Sequence, residues 1–207
     1  MLRLPGLDEI LFLVPAILIG LTLHEFAHAY VADRLGDRTA RAAGRLTLNP
    51  LVHIDILGLI LLFIAGFGWA RPVPVNPYNF RGNMKEGMLL VSLAGPVSNF
   101  LVACAAAGLL AVFSHNLVLS TLLKTIIYIN IVLAVFNLIP IPPLDGSKIL
   151  AGLLPGRQEW LIYLEEYGVL LLLLLMITGV IGKFLRWFVL PVAGFLIDLA
   201  ARIGAQL

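Results

Sequence analysis

The chain has 207 residues, of which 60% are hydrophobic and only 13% are charged, and its formal net charge is +2. Soluble domains average about one quarter charged residues, and several runs here approach the ~20 apolar residues that cross a bilayer. The composition therefore predicts a polytopic membrane protein embedded in a lipid bilayer. The small net charge and the lack of a basic, aromatic-rich patch argue against nucleic acid as a partner. The single cysteine, Cys104, excludes an intrachain disulfide and a thiolate metal cluster.

The first predicted element is a helix from about Leu7 to Leu35, which ends where Gly36 follows. A short apolar run after Arg3 has some features of a secretory leader, but no convincing cleavage site follows it. We therefore interpret the run as a retained first helix. Its second half contains the sequence HEFAH, at residues 24–28.

The segment after this helix is polar and irregular, except for one apolar piece, Ile54–Trp69, that contains three glycines. Its sixteen residues would form a helix of about 24 Å, shorter than the ~30 Å hydrocarbon core. We predict that this piece is re-entrant or lies along the membrane interface. The sequences GRLTLN and RPVPVNP, which flank it, favour short β-strands at the membrane surface. The prolines of the second sequence would keep it at a sheet edge.

Four further helices are predicted from the remaining apolar runs, at about Gly87–Phe113, Leu119–Ile139, Leu161–Ile181 and Phe184–Ile203. The predicted fold is thus an all-α polytopic membrane protein with about five transmembrane helices plus one re-entrant or interfacial element. No internal repeat or soluble module is visible. We expect a single membrane-embedded domain over residues 1–207, with a core at about 7–150 and a C-terminal helix pair at about 160–205.

The sequence HEFAH fits the pattern H-E-x-x-H. Residues four apart share one face of a helix, so the imidazoles of His24 and His28 can reach one metal ion. Glu25, beside the first histidine, can then act as a general base. The alternative is a polar helix face whose groups are satisfied by neighbouring helices. Ionisable residues at membrane depth normally face a protein interior or a water-filled cavity.

A catalytic zinc ion usually has three protein ligands, so a third residue is needed. The candidates in or beside apolar helices are His53, Asp55, His115, Asp145, Glu165, Glu166 and Asp198. Asp145 has the most informative surroundings, because three prolines precede it in FNLIPIPPLDGSKIL and Gly146 follows it. Broken backbone at membrane depth is tolerated only where it lines a cavity or is buried in protein. These residues favour Asp145 and leave the others open.

Three motifs together resemble the site-2 protease family of intramembrane zinc metalloproteases: HEFAH, AGPVSNF and FNLIPIPPLDG. The stretches NPLVHIDILG and GWARPVPVNP resemble its compact prokaryotic subgroup without attached domains. The resemblance covers roughly residues 15–150.

The resemblance implies a metalloendopeptidase that hydrolyses a peptide bond in or near a transmembrane segment of a membrane protein. His24, His28 and Asp145 would hold one Zn²⁺ ion, and Glu25 would activate the water that attacks the scissile carbonyl. Asn137 would hydrogen-bond the substrate backbone or the oxyanion.

Two further residues have alternative roles. Asn99, in AGPVSNF, would position the substrate or brace its own helix, and an interhelical hydrogen bond is the structural alternative for both Asn99 and Asn137. His53 would stabilise the oxyanion, line a water path to zinc, or cap the apolar piece by bonding Asp55 or a backbone carbonyl.

The shared metal site constrains the topology. His28 is near the end of the first helix and Asp145 follows the Leu119–Ile139 helix, so these two helices must run in the same direction. One of the two intervening apolar segments therefore does not cross the membrane. If Ile54–Trp69 is that segment, ten of the fourteen Lys and Arg residues lie on one side, against an even split otherwise. The positive-inside rule then favours a zinc site toward the cytoplasm. The resemblance implies that the membrane is that of a prokaryotic cell.

Three other functions fit the residues less well. A catalytically silent zinc-bound adaptor has no need of Glu25, because structural sites close their coordination. A metal transporter would line a path through both leaflets, whereas the polar residues here gather on one side. A protease acting after prenylated cysteines would be expected to use a glutamate as third ligand. For the favoured peptidase, RPVPVNP could hold an unwound substrate by strand addition.

Overall fold

The computed structural model describes residues 6–65, 68–156 and 159–206. Its helices, in chain order, are α1 (Leu7–Leu35), α2 (Thr39–Ala42), α3 (Ile56–Ala65), α4 (Met84–Val112), α5 (Leu117–Asn137), α6 (Asp145–Leu153), α7 (Glu159–Ile177) and α8 (Val180–Gly204). Two 3₁₀ turns lie at Pro50–Val52 and Pro77–Asn79. Arg3 and Arg157, which enter the charge count, and Gly66 and Phe67 of the apolar piece lie outside the described residues.

Four helices, α1, α4, α5 and α8, are long and apolar enough to cross a membrane. These four fit an integral membrane protein. The fifth predicted span, now α7, is not confirmed, since it is absent from the spans found among the described residues. Its nineteen residues include three glutamates, Glu159, Glu165 and Glu166.

The helix directions follow from contacts along α1. A Cβ on Gly20 would touch Leu133 of α5, and four residues later His24 lines a cavity with Asn137 of α5. The two helices therefore run parallel. Hydrogen bonds join Gly20 to Asn99 of α4, and His28 to the earlier Val91, so α4 runs antiparallel to α1. This is the arrangement that the shared metal site required.

The short helix α3 occupies the middle of the apolar piece Ile54–Trp69. Its ten residues extend about 15 Å, half of the ~30 Å needed for a span. An isolated antiparallel bridge joins Ile54 to Ala70, and a Cβ on Gly58 would overlap the Trp69 carbonyl oxygen. The two ends of the piece thus lie side by side, which fits a segment that does not cross.

The β-strands predicted for GRLTLN and RPVPVNP are not found. In the part of the chain that the structure describes, the Ile54–Ala70 bridge is the extent of β-pairing, and there is no sheet. RPVPVNP has no regular secondary structure before Pro77, and three of its seven residues are prolines without an N–H for a ladder. Three of its four other amides bond to other parts of the chain, as described below.

Small residues allow α4 to pack closely against α5 and α8. Its buried face contains Ala103, Ala106, Ala107 and Ala111, which meet Ile127 and Ile131 of α5 and Val189 and Ala193 of α8. Small residues let helix backbones approach closely in membranes, where packing and not the hydrophobic effect drives association. Large apolar side chains face outward, as lipid contact requires, including those of Leu11, Leu101, Leu117, Leu170 and Trp187.

Candidate metal centre

Two histidines on one face of α1 form the base of the site. His24 and His28 are one helical turn apart, are 5% and 7% exposed, and their Nε2 atoms lie 2.9 Å apart. Their rings meet edge to face, with centroids 4.5 Å apart. The two unprotonated nitrogens thus converge on one point, as expected for H-E-x-x-H on a helix.

Asp145 completes the cluster from the first turn of α6. Its Oδ2 atom lies 3.1 Å from the Nε2 atoms of both His24 and His28, and has no hydrogen-bond partner of its own. Asp145 is therefore a buried carboxylate directed at the two histidines.

Gly146 explains how Asp145 reaches this position. A Cβ at residue 146 would overlap the carbonyl oxygens of Leu138 and Ile139. Only glycine lets the start of α6 lie directly against the end of α5. The prolines between these helices have no N–H and cannot extend α5 toward α6. Sequence analysis identified this break but not the helix that Asp145 begins.

Hydrogen bonds from α4 fix the orientation of both imidazoles. The Nδ1–H of His28 donates to the Val91 carbonyl oxygen at 2.7 Å, and the Nδ1–H of His24 donates to Asn99 Oδ1 at 2.7 Å. This tautomer leaves each Nε2 lone pair free for a metal. Acceptors of this kind are typical around metal-binding histidines. Asn99 therefore makes an interhelical hydrogen bond to a candidate ligand, which is the structural alternative weighed for it above.

Asn130, in the middle of α5, is a polar residue that sequence analysis missed. It is fully buried, and its Oδ1 accepts from Asn99 Nδ2 at 2.9 Å. Asn99 also donates to the Gly20 carbonyl oxygen at 3.0 Å, and Asn130 donates to that of Ile126 at 2.9 Å. The chain of bonds holds Asn99 with its oxygen toward His24. An amide alone in the apolar run IIYINIVLAV was the available signal.

Glu25 lies beside this cluster and is 7% exposed. Its Oε2 accepts the backbone N–H of Val73 at 2.9 Å. One carboxylate oxygen of Glu25 is thus held by Val73, which lies in the sequence RPVPVNP. The side chain lines the same cavities as the histidines.

Two cavities meet at the site. One of about 370 Å³ is lined by His24, His28, Asp145, Glu25, Asn137, Ser92 and Lys148, among others, and one of about 270 Å³ by His24, Glu25, Asn137 and more apolar residues that include Leu21, Trp69, Leu133 and Phe136. The two share His24, Glu25, Pro72, Asn137 and Pro143. Together they form a cleft in which His24 and Glu25 line both cavities, and His28 and Asp145 line the larger one.

Three other residues named from the sequence lie outside the group of candidate metal ligands. Asn137 lines both cavities while its Nδ2 donates to the Leu133 carbonyl oxygen at 3.0 Å. His53 is 2% exposed and is not among the residues that line the two cavities. Its Nε2 donates to the Thr47 carbonyl oxygen at 2.9 Å, a backbone bond of the kind weighed for it above. Asp55, an alternative ligand, caps α3 by accepting the Gly58 N–H.

The donor set fits a divalent metal. Among the described residues, His24, His28 and Asp145 are a group of three whose donor atoms all lie within 4.8 Å of one another. Two neutral imidazoles and a carboxylate suit zinc, and three protein donors leave a fourth position open. The otherwise unpartnered Asp145 Oδ2 is the observation that argues most strongly for an ion here, because buried polar atoms are rarely left without a partner.

The fold and the site define a membrane-embedded protein with a buried two-histidine, one-carboxylate centre beside a glutamate. The sequence profile of peptidase family M50 matches residues 113–177, which include Asn137 and Asp145. The chain is 43% identical to "Putative zinc metalloprotease YwhC" of Bacillus subtilis over 188 residues, covering 85% of this chain and 84% of that protein.

More distant relatives have similar names. The chain is 35% identical to "Putative zinc metalloprotease Rip2" of Mycolicibacterium smegmatis, covering 83% of this chain and 67% of that protein. It is 31% identical to "Putative zinc metalloprotease MJ0611" of Methanocaldococcus jannaschii, covering 70% and 73%. No solved structure matches it. The chain belongs to peptidase family M50, the site-2 proteases, and the resemblance read from its motifs is confirmed.

Proposed function

We propose that the protein is an intramembrane zinc metalloendopeptidase that hydrolyses a peptide bond in or near a transmembrane segment of a membrane protein. The observation that carries this proposal is the convergence of His24, His28 and Asp145 beside Glu25 in a cleft. A structural metal site would be closed by a fourth protein ligand and would have no need of an adjacent base.

Zinc is the proposed cofactor, with His24, His28 and Asp145 as its ligands. The donor types and the printed names of the relatives support this choice. When bound, zinc acts as a Lewis acid that polarises the scissile carbonyl and makes water a stronger nucleophile. The chain's own contribution is to fix both imidazoles through Val91 and Asn99, so that their Nε2 atoms face the cleft.

Glu25 is the proposed general base, which takes a proton from the attacking water and passes it to the leaving amine. Its oxygen that does not accept from Val73 is available for this transfer. Asn137 borders the same space and is proposed to hydrogen-bond the substrate backbone or the developing oxyanion. Donors positioned at such a charge are typically worth about 10²–10³-fold in rate.

The substrate is proposed to lie extended through the two cavities, since a helix hides its carbonyls in its own hydrogen bonds. Pro72, Val73 and Val75 border the larger cavity, so the substrate is proposed to pass beside them. The arginine-rich side of the molecule, near α2, is proposed to face the cytoplasm of a prokaryotic cell.

The test compares purified wild type with Glu25→Gln and Asp145→Ala in metal content and in cleavage of a membrane-embedded substrate. Zinc should bind near one equivalent per chain, and Asp145→Ala should lose most of it. Glu25→Gln keeps the side chain's shape and should retain zinc, but it cannot accept the proton. Its cleavage rate should fall by about 10²–10⁴-fold.

Wild-type cleavage by Glu25→Gln would refute the proposed mechanism. An adaptor that merely holds zinc would work as well with glutamine as with glutamate. Full zinc content in Asp145→Ala would move the third ligand elsewhere, with His53 and Asp55 as the next candidates.

A further inference from the structure

Residues 71–76, Arg-Pro-Val-Pro-Val-Asn, form an irregular segment beside the cleft that we call the strap. Pro72 and Val73 line the larger cavity, and Pro72 also lines the smaller one. Three strap residues, Arg71, Val73 and Asn76, each precede a proline, which restricts their backbone to extended conformations. The sequence thus preorganises the strap before any contact forms.

The N–H groups of these same three residues are the ones that bond to the rest of the protein. Arg71 donates to the His53 carbonyl oxygen at 2.9 Å, Val73 to Glu25 Oε2 at 2.9 Å, and Asn76 to Asp37 Oδ2 at 2.7 Å. The middle bond holds the proposed general base. The outer two lie on either side of it, so the ends of the strap determine where the Val73 N–H points.

Arg45 anchors the first end. It is 8% exposed, and its Nη2 donates to the Arg71 carbonyl oxygen at 2.6 Å. Burial lowers the pKa of Arg45, the nearby charge of Arg71 acts in the same direction, and the charge of Glu25 acts against them. Its Nε has no hydrogen-bond partner. A buried guanidinium is costly, so one that is held on a single backbone carbonyl indicates a specific positional role.

Asp37 anchors the second end and is fully buried. Besides the Asn76 N–H, it accepts from the Asn79 side-chain amide at 2.8 Å and from both the N–H and the hydroxyl of Thr39. Burial alone would raise the pKa of Asp37, but these hydrogen bonds lower it, so the carboxylate is ionised at neutral pH.

We propose that Arg45 and Asp37 are positioning residues for the hydrolytic reaction. They hold the two ends of the strap so that the Val73 N–H keeps Glu25 aimed at the reacting water. This inference rests on the proposed function, because it concerns the same base. Both residues act through the strap's backbone, so their loss should leave zinc binding intact.

The test uses the full-length protein with Arg45→Gln and Asp37→Asn. The matched control is Arg41→Gln, which removes a charge from the same segment but breaks only a surface ion pair with Asp33. Hydrogen exchange followed by mass spectrometry reports on the strap directly. Within residues 71–77 only Arg71, Val73, Val75 and Asn76 have an exchangeable backbone N–H, because the others are prolines.

Exchange in this peptide should be about tenfold or more faster in both variants and unchanged in Arg41→Gln, since each anchor is a charge-assisted hydrogen bond. The value of kcat for a membrane-embedded substrate should fall by about 10- to 100-fold, with KM little changed and zinc content normal. A misplaced base acts on the transition state and not on substrate binding. Arg45→Lys, which restores one donor, should recover part of kcat.

Faster exchange in residues 71–77 with wild-type kcat would overturn the inference, as would unchanged exchange. A rise in kcat would also overturn it, by showing that the strap blocks the cleft. If Arg45→Gln does not fold, Arg45→Lys and Asp37→Asn give the same comparison. Failure of the proposed function would appear separately, as a Glu25→Gln variant that cleaves at the wild-type rate.

Discussion

Gly95→Ala should weaken metal binding without changing any ligand. Gly95 is the first residue of the Gly-Pro motif on α4, and it faces the two histidines. An added Cβ would lie 2.5 Å from His24 Cε1, 2.6 Å from His24 Nε2 and 2.6 Å from His28 Cε1. Ordinary carbon contacts are about 3.5–4.0 Å, so both rings must move by about 1 Å. Metal–ligand distances tolerate only about ±0.2 Å.

The expected magnitude follows from the cost of overpacking, which is typically about 1–3 kcal/mol. At about 1.4 kcal/mol per tenfold, zinc should bind about 5- to 150-fold more weakly. The assay is competition for zinc with a chelator of known affinity, on purified protein in detergent. Cleavage should fall in parallel at limiting zinc and recover in part at high zinc.

Gly108→Ala is the matched control. Gly108 lies on the same helix, and a Cβ there would meet nothing within 4 Å. Its zinc affinity should equal that of wild type, and its stability should rise slightly because alanine favours helix. Equal zinc affinity in Gly95→Ala and Gly108→Ala would refute the reasoning, because the imidazoles would then not be packed against α4 at residue 95.

Two further predictions test the surroundings of the site. Asn99→Leu keeps the side chain's size but removes the acceptor for His24 Nδ1, so zinc affinity should fall about 10- to 100-fold. The control is Thr121→Val, which removes a hydroxyl that bonds only within α5 and should leave the zinc affinity at the wild-type value. If Asn99→Leu bound zinc as tightly as Thr121→Val, Asn99 would not be needed to orient His24. Arg38→Cys and Gly82→Cys, each in a Cys104→Ser background, should react with an impermeant thiol reagent from the same side of the membrane. Reaction from opposite sides would mean that α3 and its flanks cross.

Local patterns in the sequence were sufficient to predict the long helices and to identify the candidate ligands. Helix α1 has the predicted bounds because a continuous apolar run ends at Gly36, whose φ of 113° suits glycine. His24 and His28 meet because helical spacing alone places them on one face. Asp145 was identifiable because the three prolines before it break the chain at membrane depth.

Features that depend on distant partners were not predictable. The short helix α6 was missed because its start is fixed by the packing of Gly146 on the end of α5, which no local pattern indicates. The expected strands were absent because the strap's amides bond to Asp37, Glu25 and His53 and not to a neighbouring strand. Strand propensity describes the backbone of a segment but does not supply its partner.

The asparagine pair in the helix core also limits how the protein can move. Asn99 and Asn130 are fully buried and connect α1, α4 and α5 near the middle of these helices, from the Gly20 carbonyl to the Ile126 carbonyl. Separating these helices would leave buried amide groups unpaired, at a cost of about 1–3 kcal/mol each. The three helices therefore behave as a rigid frame. Any opening that admits the proposed transmembrane substrate has to come from parts outside that frame, such as the strap, α3 or α6. The candidate ligands His24 and His28 on α1 would then keep their positions while the cleft opens.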